Sequence, residues 1–73
     1  MGVNLDSDRL KREARLRGWS NTELADRASV SRPTITAAMR GRAVSPRTLR
    51  LIAQALVDTP PVEGIEALLM DAR

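Results

Sequence analysis

Apolar residues recur along the chain at helical rather than alternating spacing, which divides it into five segments and predicts no strand. Over residues 5–17, Leu10 and Ala14 share a face. Asp8/Arg12, Arg9/Glu13 and Glu13/Arg17 stand four apart, where opposite charges support a helix. Asp6 or Ser7 is placed to cap its start and Gly18 to end it. One local pattern then occurs three times: an apolar residue, a serine, three residues and a second apolar residue. The copies are Trp19-Ser20 with Leu24, Val30-Ser31 with Ile35, and Val44-Ser45 with Leu49. Each matches a helix start, with the serine oxygen accepting from free backbone N–H groups and the flanking apolar pair forming a hydrophobic staple. Glu23 adds the partner for a capping box with Ser20, and Pro46 occupies a first helical position, where its missing N–H costs nothing.

Helices are therefore predicted over about 5–17, 21–28, 32–40, 46–57 and 61–70. The second buries Leu24, Ala25 and Ala28. The third turns Ile35 and either Ala38 or Met39 inward and stops at Gly41. The fourth carries the stripe Leu49, Ile52, Ala53 and Leu56, and Asp58-Thr59-Pro60-Pro61 ends it. The fifth carries Val62, Ile65, Leu68 and Leu69, weakened by Gly64 by up to about 1 kcal/mol relative to alanine.

At 73 residues the chain is expected to form a single domain, residues 1–73. It has no cysteine and no histidine, which removes disulfides, thiolate and imidazole catalysis, and the usual zinc sites. No paired carboxylates or glycine-rich phosphate loop assemble a reaction class, so no enzyme, cofactor or metal is expected. No apolar run reaches the roughly 20 residues of a membrane span, and MGVNLDSD carries acids where a secretory leader would be basic and then apolar, so an unexported protein is expected. The expectation is a cytoplasmic, nucleoid-associated protein with no membrane partner and no small-molecule ligand evident.

The net charge of +3 hides an asymmetry. Between Arg27 and Arg50 stand six arginines and no acid, whereas Asp58, Glu63, Glu66 and Asp71 follow against Arg73 alone. A basic middle beside an acidic tail suits a polyanion on one face, and the planar arginine fork suits phosphate and guanine edges. A solvated charged surface would carry the same composition.

Two short helices joined by a tight turn, the second bordered by arginines, are the ingredients of a helix-turn-helix. The stretch RGWSNTELADRASVSRPTIT, the RG at 40 to 41, and SPRTLRLIAQAL from Ser45 to Leu56 resemble the lambda-repressor-like, or Cro-type, family, also called the xenobiotic-response-element family. The resemblance implies an all-α bundle of five short helices, with helices 2 and 3 forming the helix-turn-helix. It also implies binding to double-stranded DNA as a homodimer on a two-fold-related operator.

The resemblance further implies residue roles. Arg32, Pro33, Thr34 and Ala37 fall where the recognition helix approaches base edges. Arg32 can offer two donors to a guanine, worth about 1–3 kcal/mol of discrimination, or can serve as a phosphate contact or solvated side chain. Asn21, Ser31, Thr36, Arg40, Arg42 and Arg47 fall at backbone-contacting positions. Ile65, Leu68 and Leu69 are the expected dimer contact, with completion of the core as the alternative. Because Ala37 donates no hydrogen bond, direct readout is expected to be sparse and shape and phosphate contacts correspondingly important.

Two departures from the family pattern bear on the fold. Positions that hold an arginine–glutamate pair in many relatives are Ala14 and Met39 here, which predicts an apolar contact between them. The turn glycine is replaced by Ser29, so a left-handed requirement there would strain or alter the turn. Trp19, the only aromatic residue, is expected to pack as a staple rather than stack on a base. The leading functional expectation is a bacterial or phage transcriptional repressor, and the alternative is an antitoxin or adaptor that holds a partner protein.

Overall fold

Asp6 opens the first helix, α1 (Ser7–Leu16), in the computed structural model, which describes residues 2–61; its carboxylate accepts from the Arg9 N–H at 3.1 Å. The three serines cap the next helices as their spacing predicts. Ser20 accepts from the Glu23 N–H ahead of α2 (Asn21–Ala28) and Ser31 from the Thr34 N–H ahead of α3 (Arg32–Met39). Ser45 accepts from the Thr48 N–H ahead of α4 (Pro46–Asp58). Each bond satisfies a backbone donor that the helix itself cannot. The capping box at Ser20 is only half made, because the Glu23 carboxylate takes the Arg27 Nε at 3.0 Å instead of turning back to the cap. The fifth helix expected at 61–70 lies outside the described residues.

The first three helices stop by one device. The N–H groups of Trp19, Val30 and Arg42 reach back five residues to the carbonyls of Ala14, Ala25 and Ala37, at 2.9, 3.0 and 3.0 Å. This closure needs a left-handed residue just before the donor. Gly18 and Gly41 supply it at φ +72° and +77°, and Ser29 supplies it at φ +59°. The turn between α2 and α3 is thus unaltered by the missing glycine, and Ser29 bears the strain, held there by its neighbours' hydrogen bonds. Left-handed backbone costs a residue with a Cβ about 1–2 kcal/mol, and glycine's extra freedom in the unfolded chain offsets part of that. Ser29→Gly is therefore expected to raise stability by about 0.5–1 kcal/mol in urea denaturation, and Ser29→Val to lower it.

Among the described residues, Leu24, Ile35 and Ile52 are the fully buried large side chains, one from each of α2, α3 and α4, and they centre the core. Ala25, Ala28 and Ala38 let α2 and α3 approach closely around them. Ala14 and Met39 are both buried and line one depression, in keeping with the expected apolar contact. The inward flank of α4 differs from the predicted stripe: Ala55 is buried and Ala53 exposed, while Leu49 and Leu56 are half-buried. Both alanines flank Ile52 on a helical wheel, and the seating of α4 against α2 selects Ala55.

The chain also contains a two-stranded sheet where none was predicted. β1 (Val3–Asn4) pairs antiparallel with β2 (Ala43–Val44), with Val3 opposite Val44 and Asn4 opposite Ala43. Two residues are too few to register an alternating pattern, so only the fold reveals the pairing. A Cβ on Gly2 would stand 2.8 Å from the Ala43 Cβ, so glycine permits the close approach. Val44, the staple residue ahead of α4, is buried by this arrangement.

Arg17, expected only as an i,i+4 partner of Glu13, does more. Its side chain is 6% exposed and its Nη1 meets Glu13 Oε1 at 2.8 Å. Nε donates to the Thr59 carbonyl at 2.6 Å and Nη2 to the Leu56 carbonyl at 2.9 Å, so α1 caps the end of α4. The other two charge pairs expected on α1, Asp8/Arg12 and Arg9/Glu13, do not form among the described residues. Trp19 is half-buried against the core, with the Arg27 guanidinium 5.1 Å from its ring centre, which fits a staple.

Candidate nucleic-acid interface

The cap at Ser31 and the burial of Ile35, Ala38 and Met39 fix which side of α3 is left over. That outer side presents Arg32, Pro33, Thr36 and Ala37, which line an open groove together with Arg40 and Arg42 from the turn that follows. Arg32, Pro33, Arg40 and Arg42 are exposed, and Thr36 and Ala37 are half-buried as its floor. Small and apolar groups below a guanidinium rim match the edge of a base pair, where a thymine methyl sits beside acceptor atoms, with phosphates alongside.

The turn is held from both sides. The Arg42 N–H closes α3 on Ala37, and Asn4 Nδ2 donates to the Gly41 carbonyl at a long 3.4 Å. β2 begins immediately afterward, so the backbone carrying Arg40 and Arg42 is tied to β1.

No acid among the described residues lines this groove. The two carboxylates in ion pairs, Glu13 and Glu23, are engaged by Arg17 and Arg27 on α1 and α2. Arg32, Arg40, Arg42, Arg47 and Arg50 have no ion pair among the described residues.

Six of the ten residues expected at the DNA therefore come together in one groove. The other four stand apart. The Thr34 and Ser31 hydroxyls share a hydrogen bond at 2.8 Å, so both serve the helix cap, and Thr34 is half-buried. Arg47 is exposed in the first turn of α4. Asn21 lies in a second depression, floored by Ala14 and Met39 and rimmed by Lys11 and Arg15. No role follows for Lys11 and Arg15 from the motifs, although their spacing of four puts both on the face of Ala14. Ile65, Leu68 and Leu69, the expected dimer contact, lie outside the described residues.

No described helix is long and apolar enough to cross a membrane. No curated protein and no solved structure matches the chain closely enough to count as similar. A helix-turn-helix family model matches residues 9–57, from α1 almost to the end of α4 and more than half of the 73 residues. With that match laid over the capped α2–turn–α3 unit and its arginine-rimmed groove, the chain belongs to the Cro/C1-type, lambda-repressor-like helix-turn-helix family of DNA-binding transcription regulators.

Proposed function

We propose that the protein is a bacterial or phage repressor that binds a two-fold-related operator as a homodimer, with α3 in the major groove. The observation that carries this reading is the groove formed by Arg32, Pro33, Thr36, Ala37, Arg40 and Arg42, with no carboxylate among the described residues lining it. Arg32 reads a guanine through O6 and N7. Pro33 and Ala37 meet thymine methyls, and Thr36, Arg40, Arg42, Arg47 and Asn21 hold phosphates. Ser31 and Thr34 contribute mainly by fixing the helix start. The apolar residues Ile65, Leu68 and Leu69 supply the dimer contact, which sets the recognition helices about 34 Å apart. A small domain of this kind represses by occupying its site.

Selection of bound duplexes from a random pool tests the reading. Two-fold-related winners bound by two chains are expected, and one chain per site would overturn the dimer. On the winning site, Arg42→Ala is expected to lower affinity for all sequences and to reduce the slope of log K against log salt by about 1. Arg32→Ala is expected to relax preference at one base pair in each half-site. Retention of that preference would remove Arg32 from the readout, and no enrichment at low salt would shift the function to protein binding.

A further inference from the structure

We infer that β1 is a positioning element of the DNA grip: paired with β2, it holds the turn that carries Arg40 and Arg42 in the shape that presents both guanidinium groups to phosphate. The inference rests on the DNA-binding reading above and adds to it a segment that stands ahead of α1, outside the helix-turn-helix unit. Residues 40–44 join α3 to the cap of α4 with no helix of their own. Their contacts with the N-terminal segment fall on Gly41, Ala43 and Val44. Asn4 Nδ2 donates to the Gly41 carbonyl at 3.4 Å, Asn4 pairs with Ala43, and Val3 pairs with Val44. Gly2 lies over Ala43 so closely that a Cβ there would stand 2.8 Å from the Ala43 Cβ. Arg40 and Arg42, which line the groove, alternate with these held positions.

The alternation matters because the backbone is fixed on either side of each exposed guanidinium stem. A loose link could still bring two long side chains to phosphates, but it would give up its own freedom on binding, and that loss subtracts from affinity. Pairing with β1 removes the freedom in advance. The frame it pairs to is firm: Val44, opposite Val3, is buried against the core, and the Arg42 N–H is held by the Ala37 carbonyl at 3.0 Å. Gly2, Val3 and Asn4 carry no charged side chain, so the strand brings no ionic attraction for phosphate of its own. Its effect on DNA runs through the turn.

The test is a double-mutant cycle on the selected duplex, combining deletion of Gly2, Val3 and Asn4 with Arg40→Gln/Arg42→Gln. Deletion is expected to lower affinity about tenfold while the arginines are present, the cost of ordering roughly one more residue of backbone on binding. In the glutamine background the same deletion is expected to change affinity by less than about twofold, within the scatter of independent effects. Hydrogen exchange reads the free protein: residues 40–44 exchange faster in the deletion variant, while α2 and α3 keep wild-type protection. Gly2→Val, whose Cβ would meet Ala43, keeps the chain length and moves both readouts in the same direction, so it carries the test if the deletion variant does not fold. An equal loss in both backgrounds would overturn the inference, because β1 would then touch DNA itself or stabilise the whole domain. Unchanged exchange at residues 40–44 in both variants would also overturn it and leave DNA binding intact. A wild-type protein that binds no duplex at any salt would overturn the underlying reading instead, and wild-type affinity in the glutamine variant would remove the two arginines from that reading.

Discussion

Ile35→Ala is expected to destabilise the domain by about 3–5 kcal/mol, because it empties a site with no exposed surface at the junction of α2, α3 and α4. A domain of this size is stabilised by only about 4–10 kcal/mol in total, so a large fraction of the variant should be unfolded near 37 °C. Ile35 is also the side chain that seats α3 from beneath. DNA affinity should therefore fall with the folded fraction and recover on cooling to a temperature where the domain is intact. Ile35→Val, which removes one methylene, should cost about 0.5–1.5 kcal/mol and leave binding near wild type. Urea denaturation of both variants checks the pair. A loss below about 1 kcal/mol for the alanine variant would mean that Ile35 does not anchor the recognition helix.

The second large effect is expected away from the DNA-facing groove. Arg17→Met keeps most of the stem volume but removes the donors that reach the carbonyls of Leu56, Thr59 and Glu13. At 6% side-chain exposure, water is poorly placed to replace them. The expected cost is about 2–4 kcal/mol, since bonds from a charged donor are the stronger kind and the abandoned carbonyls lose their partner. For a chain this short that lowers the melting temperature by at least about 10 °C. Arg17→Lys should restore only part, because a single ammonium cannot span all the carbonyls served by a planar fork. Glu13→Gln, which keeps the backbone contacts of Arg17, should cost less than either. A melting temperature for Arg17→Met within a degree or two of wild type would show that the end of α4 is held by something else.

Most of the candidate groove is legible in the sequence, because helix starts are local chemistry. Ser20, Ser31 and Ser45 each act on an N–H three residues away, and the staples act over five. The outer face of α3 followed from knowing that Ile35 and its partners point inward. Thr34 shows the limit of that reasoning: its position suggests a base contact, yet its hydroxyl is bound to Ser31. Glu23 shows another, since its carboxylate had two local options and took Arg27 rather than the cap.

By itself the sequence determined the serine caps of α2, α3 and α4, the buried residues of α2, the inward turn of Ile35 in α3, and which stretch carries arginines without acids. All of these rest on contacts within about one or two helical turns, which periodicity and capping rules cover. Only the tertiary structure decided the pairing of β1 with β2, the choice of Ala55 over Ala53, and the role of Arg17, whose partner Thr59 is 42 residues away. It also decided that Lys11 and Arg15 share a depression with Asn21 and Met39. These features depend on how one finished helix is rotated against another. Local spacing leaves that rotation open, and burial of Leu24, Ile35 and Ile52 against each other sets it.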